Sequence, residues 1–145
     1  MYNNLVSYIF SFSFVTVLIA YIIKLPYLLT NNKKLINEYY GINFTKSAVL
    51  DVFLFAIYLA ISQFFINYFK VDNIIYKLLV VTIITILISG SFFIYFINKN
   101  VDNTFFSRWF HAVGYKAIIY DIVLITFSYF MYDYLLTISN NKKLV

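Results

Sequence analysis

The chain has no cysteine, so it can hold no disulfide, thiolate metal site, haem thioether or thiol nucleophile, and quinone-linked thiol chemistry is excluded. Charge is scarce. Charged residues make up 12% of the sequence, against roughly 25% in a typical soluble domain, too little to cover a water-soluble globule of this size. The single histidine, His111, has no second histidine or nearby acid at ligand spacing, which argues against a metal site and leaves only a surface proton sensor open. There is no phosphate-binding glycine loop, no zinc-protease helix, no serine nucleophile in a recognisable setting and no pair of acids spaced for catalysis. Neither enzyme activity nor a cofactor is expected. The net charge of +5 is spread over loops and ends rather than gathered into a block, so nucleic acid is not an expected partner. The first apolar stretch has no basic region before it and no small-residue cleavage site after it, and is expected to be retained as a helix.

What the sequence has in abundance is hydrophobic residues, 63% of the total. They fall into four segments at about 5–29, 47–69, 74–97 and 115–136. Each reaches the ~20 residues that a helix rising ~1.5 Å per residue needs to cross a ~30 Å hydrocarbon layer. A β-barrel would alternate apolar and polar residues over ~10 positions, whereas Val80–Leu87 and Ala117–Ile125 are apolar except for isolated polar residues. The expected fold is all-α: an integral membrane four-helix bundle forming one membrane domain over residues 1–145, with the lipid bilayer as its main partner.

The two longer loops carry seven Lys and Arg (Lys24, Lys33, Lys34, Lys46, Lys99, Arg108, Lys116) and the other side four (Lys70, Lys77, Lys142, Lys143). By the positive-inside rule both longer loops are expected in the cytosol. The Asn43-Phe44-Thr45 acceptor motif would then be hidden from glycosylation. The Tyr, Phe, Ile, Asn and Lys richness follows AT-rich codons, which discounts much of the 23% aromatic content as evidence of function.

Shifting the chain by 70 residues against itself lays Leu35–Leu59 over Phe105–Tyr129, with Lys46 on Lys116 and Asp51 on Asp121. The pairs Tyr39/Trp109, Tyr40/Phe110, Val52/Ile122 and Leu54/Leu124 keep chemical character. The pattern reads as two tandem helical hairpins in parallel repeat, each a helix, a basic loop and a helix. Within the loops, Leu35, Ile36, Tyr39 and Tyr40 recur as Phe105, Phe106, Trp109 and Phe110, a spacing that suits interfacial helices over about 33–41 and 104–112. An aromatic belt that only fixes depth is the simpler alternative. Arg108 with Trp109 is expected to contact lipid phosphate and, with His111 on the polar border, to anchor the loop.

Asp51 and Asp121 are the most informative polar residues. Each lies five to seven residues into its helix, about 8–10 Å along the axis and below the headgroups. An aspartate at a helix centre costs ~2.5–3.5 kcal/mol, so such a side chain faces protein or water. Ser47, Asp51, Tyr58 and Ser62 form one stripe, Ala117, Asp121, Ser128 and Tyr132 another, and Thr82, Thr85, Ser89 and Ser13, Thr16, Ala20 offer matching small-polar stripes on the other helices. Lys46 and Lys116 precede the acids by five residues, about 140° around the helix, so they snorkel to the interface or pair across hairpins. Two readings follow: pseudo-symmetric acids that bind a cation or relay protons, or acids that hydrogen-bond a neighbouring helix and fix packing.

The stretch Phe106-Ser107-Arg108-Trp109-Phe110-His111-Ala112-Val113-Gly114-Tyr115-Lys116-Ala117-Ile118-Ile119-Tyr120-Asp121 resembles a pattern in small multi-pass membrane proteins of giant DNA viruses, in which Trp-aromatic, Gly and Asp open the final span. The resemblance implies a location, a host-derived membrane or the lipid layer inside a virion. The leading expectation is thus a non-enzymatic viral membrane component that associates laterally, as a homo-oligomer or with other membrane proteins. The alternative is a small proton- or cation-coupled transporter or channel using Asp51 and Asp121.

Overall fold

Helix boundaries follow from local chemistry wherever a cap or a proline is available. The computed structural model describes residues 2–30 and 32–141; Lys142 and Lys143, two of the basic residues counted above, lie outside the described residues. Helix α1 (Tyr2–Thr16) runs on as a π-helical turn, Val17–Ile22. The expected first span to residue 29 is therefore too long: Lys24 turns the chain in the left-handed region at φ 57° and a separate short helix, α2 (Leu25–Leu29), follows. Pro26 is the cause. It has no N–H for the carbonyl of Ile22, and its ring would strike that carbonyl if the helix continued. Hydropathy alone does not register this break.

Helix α3 (Lys33–Asn37), capped by the Asn32 side chain accepting from the Leu35 N–H at 3.1 Å, continues as a π-helical turn, Glu38–Ile42. Helix α4 (Phe44–Tyr68) ends at Lys70, again left-handed at φ 52°. Asn73 caps the start of α5 (Ile74–Ile97) by accepting from the Ile75 N–H at 2.8 Å, and so tight a turn sets α4 and α5 antiparallel. Thr104 caps α6 (Phe105–Val113), and Gly114 at φ 64° turns the chain into α7 (Lys116–Asn141).

Four stretches, Leu5–Ile22, Phe44–Tyr68, Ile74–Ile97 and Lys116–Ser139, are long and apolar enough to cross a membrane among the described residues, and none of those residues forms a strand. The fold is an all-α four-helix bundle of a multi-pass integral membrane protein. Large apolar side chains such as Phe53, Phe64, Ile75, Leu79, Leu87 and Phe127 point outward and are more than half exposed, as lipid-facing residues must be, since lipid tails are as apolar as they are.

Around the ring, α1 packs on α7, α7 on α5 and α5 on α4. The ring closes poorly between α1 and α4. There Tyr8 and Phe12 bridge by stacking on Phe55, and the Tyr8 hydroxyl donates to the Val52 carbonyl. The α5–α7 seam is bonded at two levels: Thr82 and Thr126 hydroxyls lie 3.3 Å apart, and Lys77 pairs with Asp133 at 3.0 Å. Along α1 and the turn that continues it, the buried face is Ser11, Phe12, Val15 and Ile19 rather than the expected Ser13–Thr16–Ala20 stripe; Ser13 is exposed along the open seam and only Ala20 of the three is buried. Large rings bridge a gap that small residues cannot, which is why the aromatic face won.

The loop helices correct a second expectation. Their apolar faces do not lie in lipid. Leu35 and Ile36 of the first loop and Trp109, Phe110 and Val113 of the second are buried in the same core as the spans, and Tyr39 is buried as well. Tyr39 stacks on Phe105 with ring centroids 4.0 Å apart, so the two loops cover the end of the bundle together.

Candidate functional site

Beneath these loops lies a cavity of about 100 Å³, walled by sixteen residues of which eleven are aromatic, three aliphatic and two acidic. The acids are Asp51 of α4 and Asp121 of α7. Residues at the 70-residue shift come to the same wall: Asp51 with Asp121, Leu54 with Leu124, Tyr39 with Trp109 and Tyr40 with Phe110. Both carboxylates sit on the first two turns of their helices, which directs them at the loop end, where Tyr39 and α5 can reach them.

Each carboxylate accepts one hydroxyl. Tyr39 donates to Asp51 Oδ1 at 2.5 Å, and Ser89 of α5 donates to Asp121 Oδ2 at 2.5 Å. An ionised carboxylate has about four lone-pair positions, so one donor leaves acceptor capacity facing the cavity. Across the roof, the Tyr40 and Tyr120 hydroxyls meet at 2.5 Å, and Tyr21 donates to the Tyr40 carbonyl at 2.7 Å. Desolvation raises the pKa of the Tyr39 and Tyr40 phenols well above the ordinary range, with the Asp51 charge beside Tyr39 and the Tyr120 phenol beside Tyr40 adding to it, so both stay neutral at any physiological pH.

Asp51 also borders a second cavity of about 90 Å³ in the open seam between α1 and α4, lined by Thr16, Ser47 and Tyr40 among others. The Thr16 Oγ1 atom is buried there with no hydrogen-bond partner among the described residues. Asp51, Phe12 and Tyr40 are thus a shared partition between the seam and the central cavity. Asp121 lines only the central one of these two.

The other residues singled out in the sequence fall elsewhere. Lys46 and Lys116 are exposed and line none of these cavities. Trp109 is only 6% exposed, packs against Phe105 and Tyr120, and walls the cavity. Arg108 pairs with protein: Nη1 and Nη2 donate to the two Glu38 carboxylate oxygens at 2.8 and 2.5 Å. The two parallel bonds form a bidentate fork, the geometry that suits a guanidinium on a carboxylate. His111 is held by two backbone carbonyls, Nδ1 at 2.7 Å from Ser107 O and Nε2 at 3.1 Å from Lys99 O, which ties the α5–α6 connection to α6. Gln63 donates to Asn67 at 2.8 Å along α4.

Sequence reasoning found the two acids but missed the roof. The signal was present: Tyr39 and Tyr40 carry hydroxyls, which an apolar interfacial face does not require and a buried acid does. Glu38, the sole glutamate, stands 70 residues before Arg108 with the opposite charge.

No protein-family model, no curated protein and no solved structure matches this chain.

Proposed function

We propose that this membrane protein is non-enzymatic and that it binds a cation, or takes up protons, at the paired acids Asp51 and Asp121. The observation that carries the reading is that carboxylates from two different spans wall one cavity that no Lys, Arg or His lines. A charge in a low-dielectric site without a counter-charge is costly, and a proton or a cation relieves that cost for both acids at once. Access by way of the α1–α4 seam, which reaches Asp51, supports exchange of the bound species with the surroundings. The Lys and Arg excess on the longer loops supports a cytosolic loop end. The likeness of residues 106–121 to small membrane proteins of giant DNA viruses supports a host-derived or virion membrane as its location.

The test is flux of protons and monovalent cations into liposomes containing the purified protein, wild type against Asp51→Asn/Asp121→Asn at matched insertion. Flux or proton uptake lost in the double variant is expected. A second reading has one specific observation in its favour: each acid already accepts a hydroxyl from a neighbouring element, as packing acids do. No uptake over a broad ion and pH panel, together with poor assembly of the double variant, would establish that reading instead, a structural component of its membrane.

A further inference from the structure

We infer that the species held at Asp51 and Asp121 is a small organic ammonium with methylated nitrogen, not a bare metal cation. This deepens the cation-binding reading and rests on it. The argument turns on what the wall offers. A hard inorganic cation is held by six or more oxygens in the divalent case, whereas here the two carboxylates stand among eleven rings. Part of the remaining oxygen is already committed: Tyr39 donates to Asp51, and the Tyr40 and Tyr120 hydroxyls bond each other. Aromatic faces instead attract a cation that has no tight hydration shell to lose, and a ring of them around a methylated ammonium is the arrangement that recognises such groups. Phe55, Tyr58, Trp109 and Tyr120 are each no more than 6% exposed, so their faces are dry, where cation–π attraction is strongest.

Size agrees. A 150 Å³ apolar cavity accepts benzene, and a cavity of about 100 Å³ suits a head of a few heavy atoms rather than a large drug-like cation. The two acids supply the charge that an apolar cavity of that kind lacks, and they explain why a neutral molecule of the same shape should be refused.

The experiment is binding of radiolabelled tetramethylammonium to the purified protein in nanodiscs of phosphatidylglycerol, with choline and its uncharged isostere 3,3-dimethylbutan-1-ol as competitors. Choline is expected to displace the label at least tenfold better than the isostere, a comparison that needs only the wild-type protein. Phe92→Leu, which removes a partly exposed ring from the wall, is expected to weaken binding about three- to tenfold, and Asp51→Asn/Asp121→Asn to abolish it. Lone Trp109 should report the same titration by its emission. Replacing half the lipid with phosphatidylcholine separates the two sources of this chemistry: competition points to a lipid headgroup, and unchanged binding to a free amine, and either supports the site. Equal displacement by the isostere, or saturable proton or potassium uptake without tetramethylammonium binding, overturns the ammonium assignment while leaving the acid site standing. Absence of both removes the two together.

Discussion

The two hairpins place an aspartate at the same register position and satisfy it from opposite directions. In the first, Asp51 is bonded from above by Tyr39 of its own loop. In the second, Trp109 occupies the Tyr39 position, and Asp121 is bonded from the side by Ser89 of α5. The first-span residue at the Ser89 position is Ile19, in the π-helical turn that continues α1, and its side chain can donate nothing. One substitution thus follows the other: where the span supplies no hydroxyl, the loop must, and where the loop carries an indole, the span must. Packing follows the same division. The second hairpin closes tightly along α5 and α7, while the first leaves a seam between α1 and α4 bridged by Tyr8 and Phe12. Identical acids therefore have different access: Asp51 faces two cavities, Asp121 one of them.

Removing the donors is the sharpest way to break this comparison. Ser89→Ala leaves an Asp121 oxygen without its hydroxyl partner on the side away from the open seam, at an expected cost of about 1.5–3 kcal/mol. Tyr39→Phe removes the matching bond from Asp51, but water entering along the seam replaces the donor, so a loss below about 1.5 kcal/mol is expected. SDS-titrated unfolding in mixed micelles measures both, and equal losses would erase the distinction between closed and open hairpins.

The turns that lead into the two acid-bearing helices differ in the same way. Gly114 holds φ 64° and ψ −144°, a region that costs a residue with a Cβ about 1–3 kcal/mol. Gly41 has no positive φ, and a Cβ there meets only the Asn37 side chain, Oδ1 at 2.6 Å and Cγ at 3.4 Å. Gly114→Ala is expected to destabilise by about 1–3 kcal/mol and Gly41→Ala by less, because Asn37 can rotate away. Gly90, in the α5 interior with nothing within 4 Å of an added Cβ, provides the reverse control: Gly90→Ala should stabilise by roughly 0.5–1 kcal/mol.

These contrasts also show what could be read in advance. Long apolar runs announce spanning helices because backbone groups in lipid must be satisfied within the segment, and the acids stand out because charge is expensive there. The end of α1 was illegible to hydropathy because Pro26 acts through a missing N–H and a steric clash, neither of which changes apolar content. The loop helices were misplaced for a different reason. A stripe of Leu35, Ile36, Tyr39 or of Phe105, Phe106, Trp109 is equally suited to lipid and to the apolar end of a bundle, and amphipathicity gives no preference between the two. Only the hydroxyls of Tyr39 and Tyr40, which need buried partners, carried that information.

The smallest effect expected concerns the Glu38–Arg108 pair that fastens the two loops over the cavity. These residues are 70 positions apart, so the contact joins corresponding points of the two hairpins by opposite charge. The Arg108 hydrogen bonds hold the Glu38 carboxyl below its usual range. A depressed folded-state value means that the stabilisation is fully present above the unfolded value, near 4.3 for glutamate, and is lost as pH falls through the lower folded value. The loops should therefore loosen only in acid, below about pH 4. Both side chains are about one-third exposed, so solvent screening limits the pair to roughly 0.2–1 kcal/mol, toward the upper end for its bidentate geometry. A double-mutant cycle of Glu38→Gln and Arg108→Gln should return a coupling in that range at pH 7 that shrinks in 1 M salt. If the coupling were absent while Trp109 emission kept its wild-type wavelength in every variant, the stacked rings of Tyr39 and Phe105 would be what holds the roof, and the charge pair would only set which faces of the two loops meet.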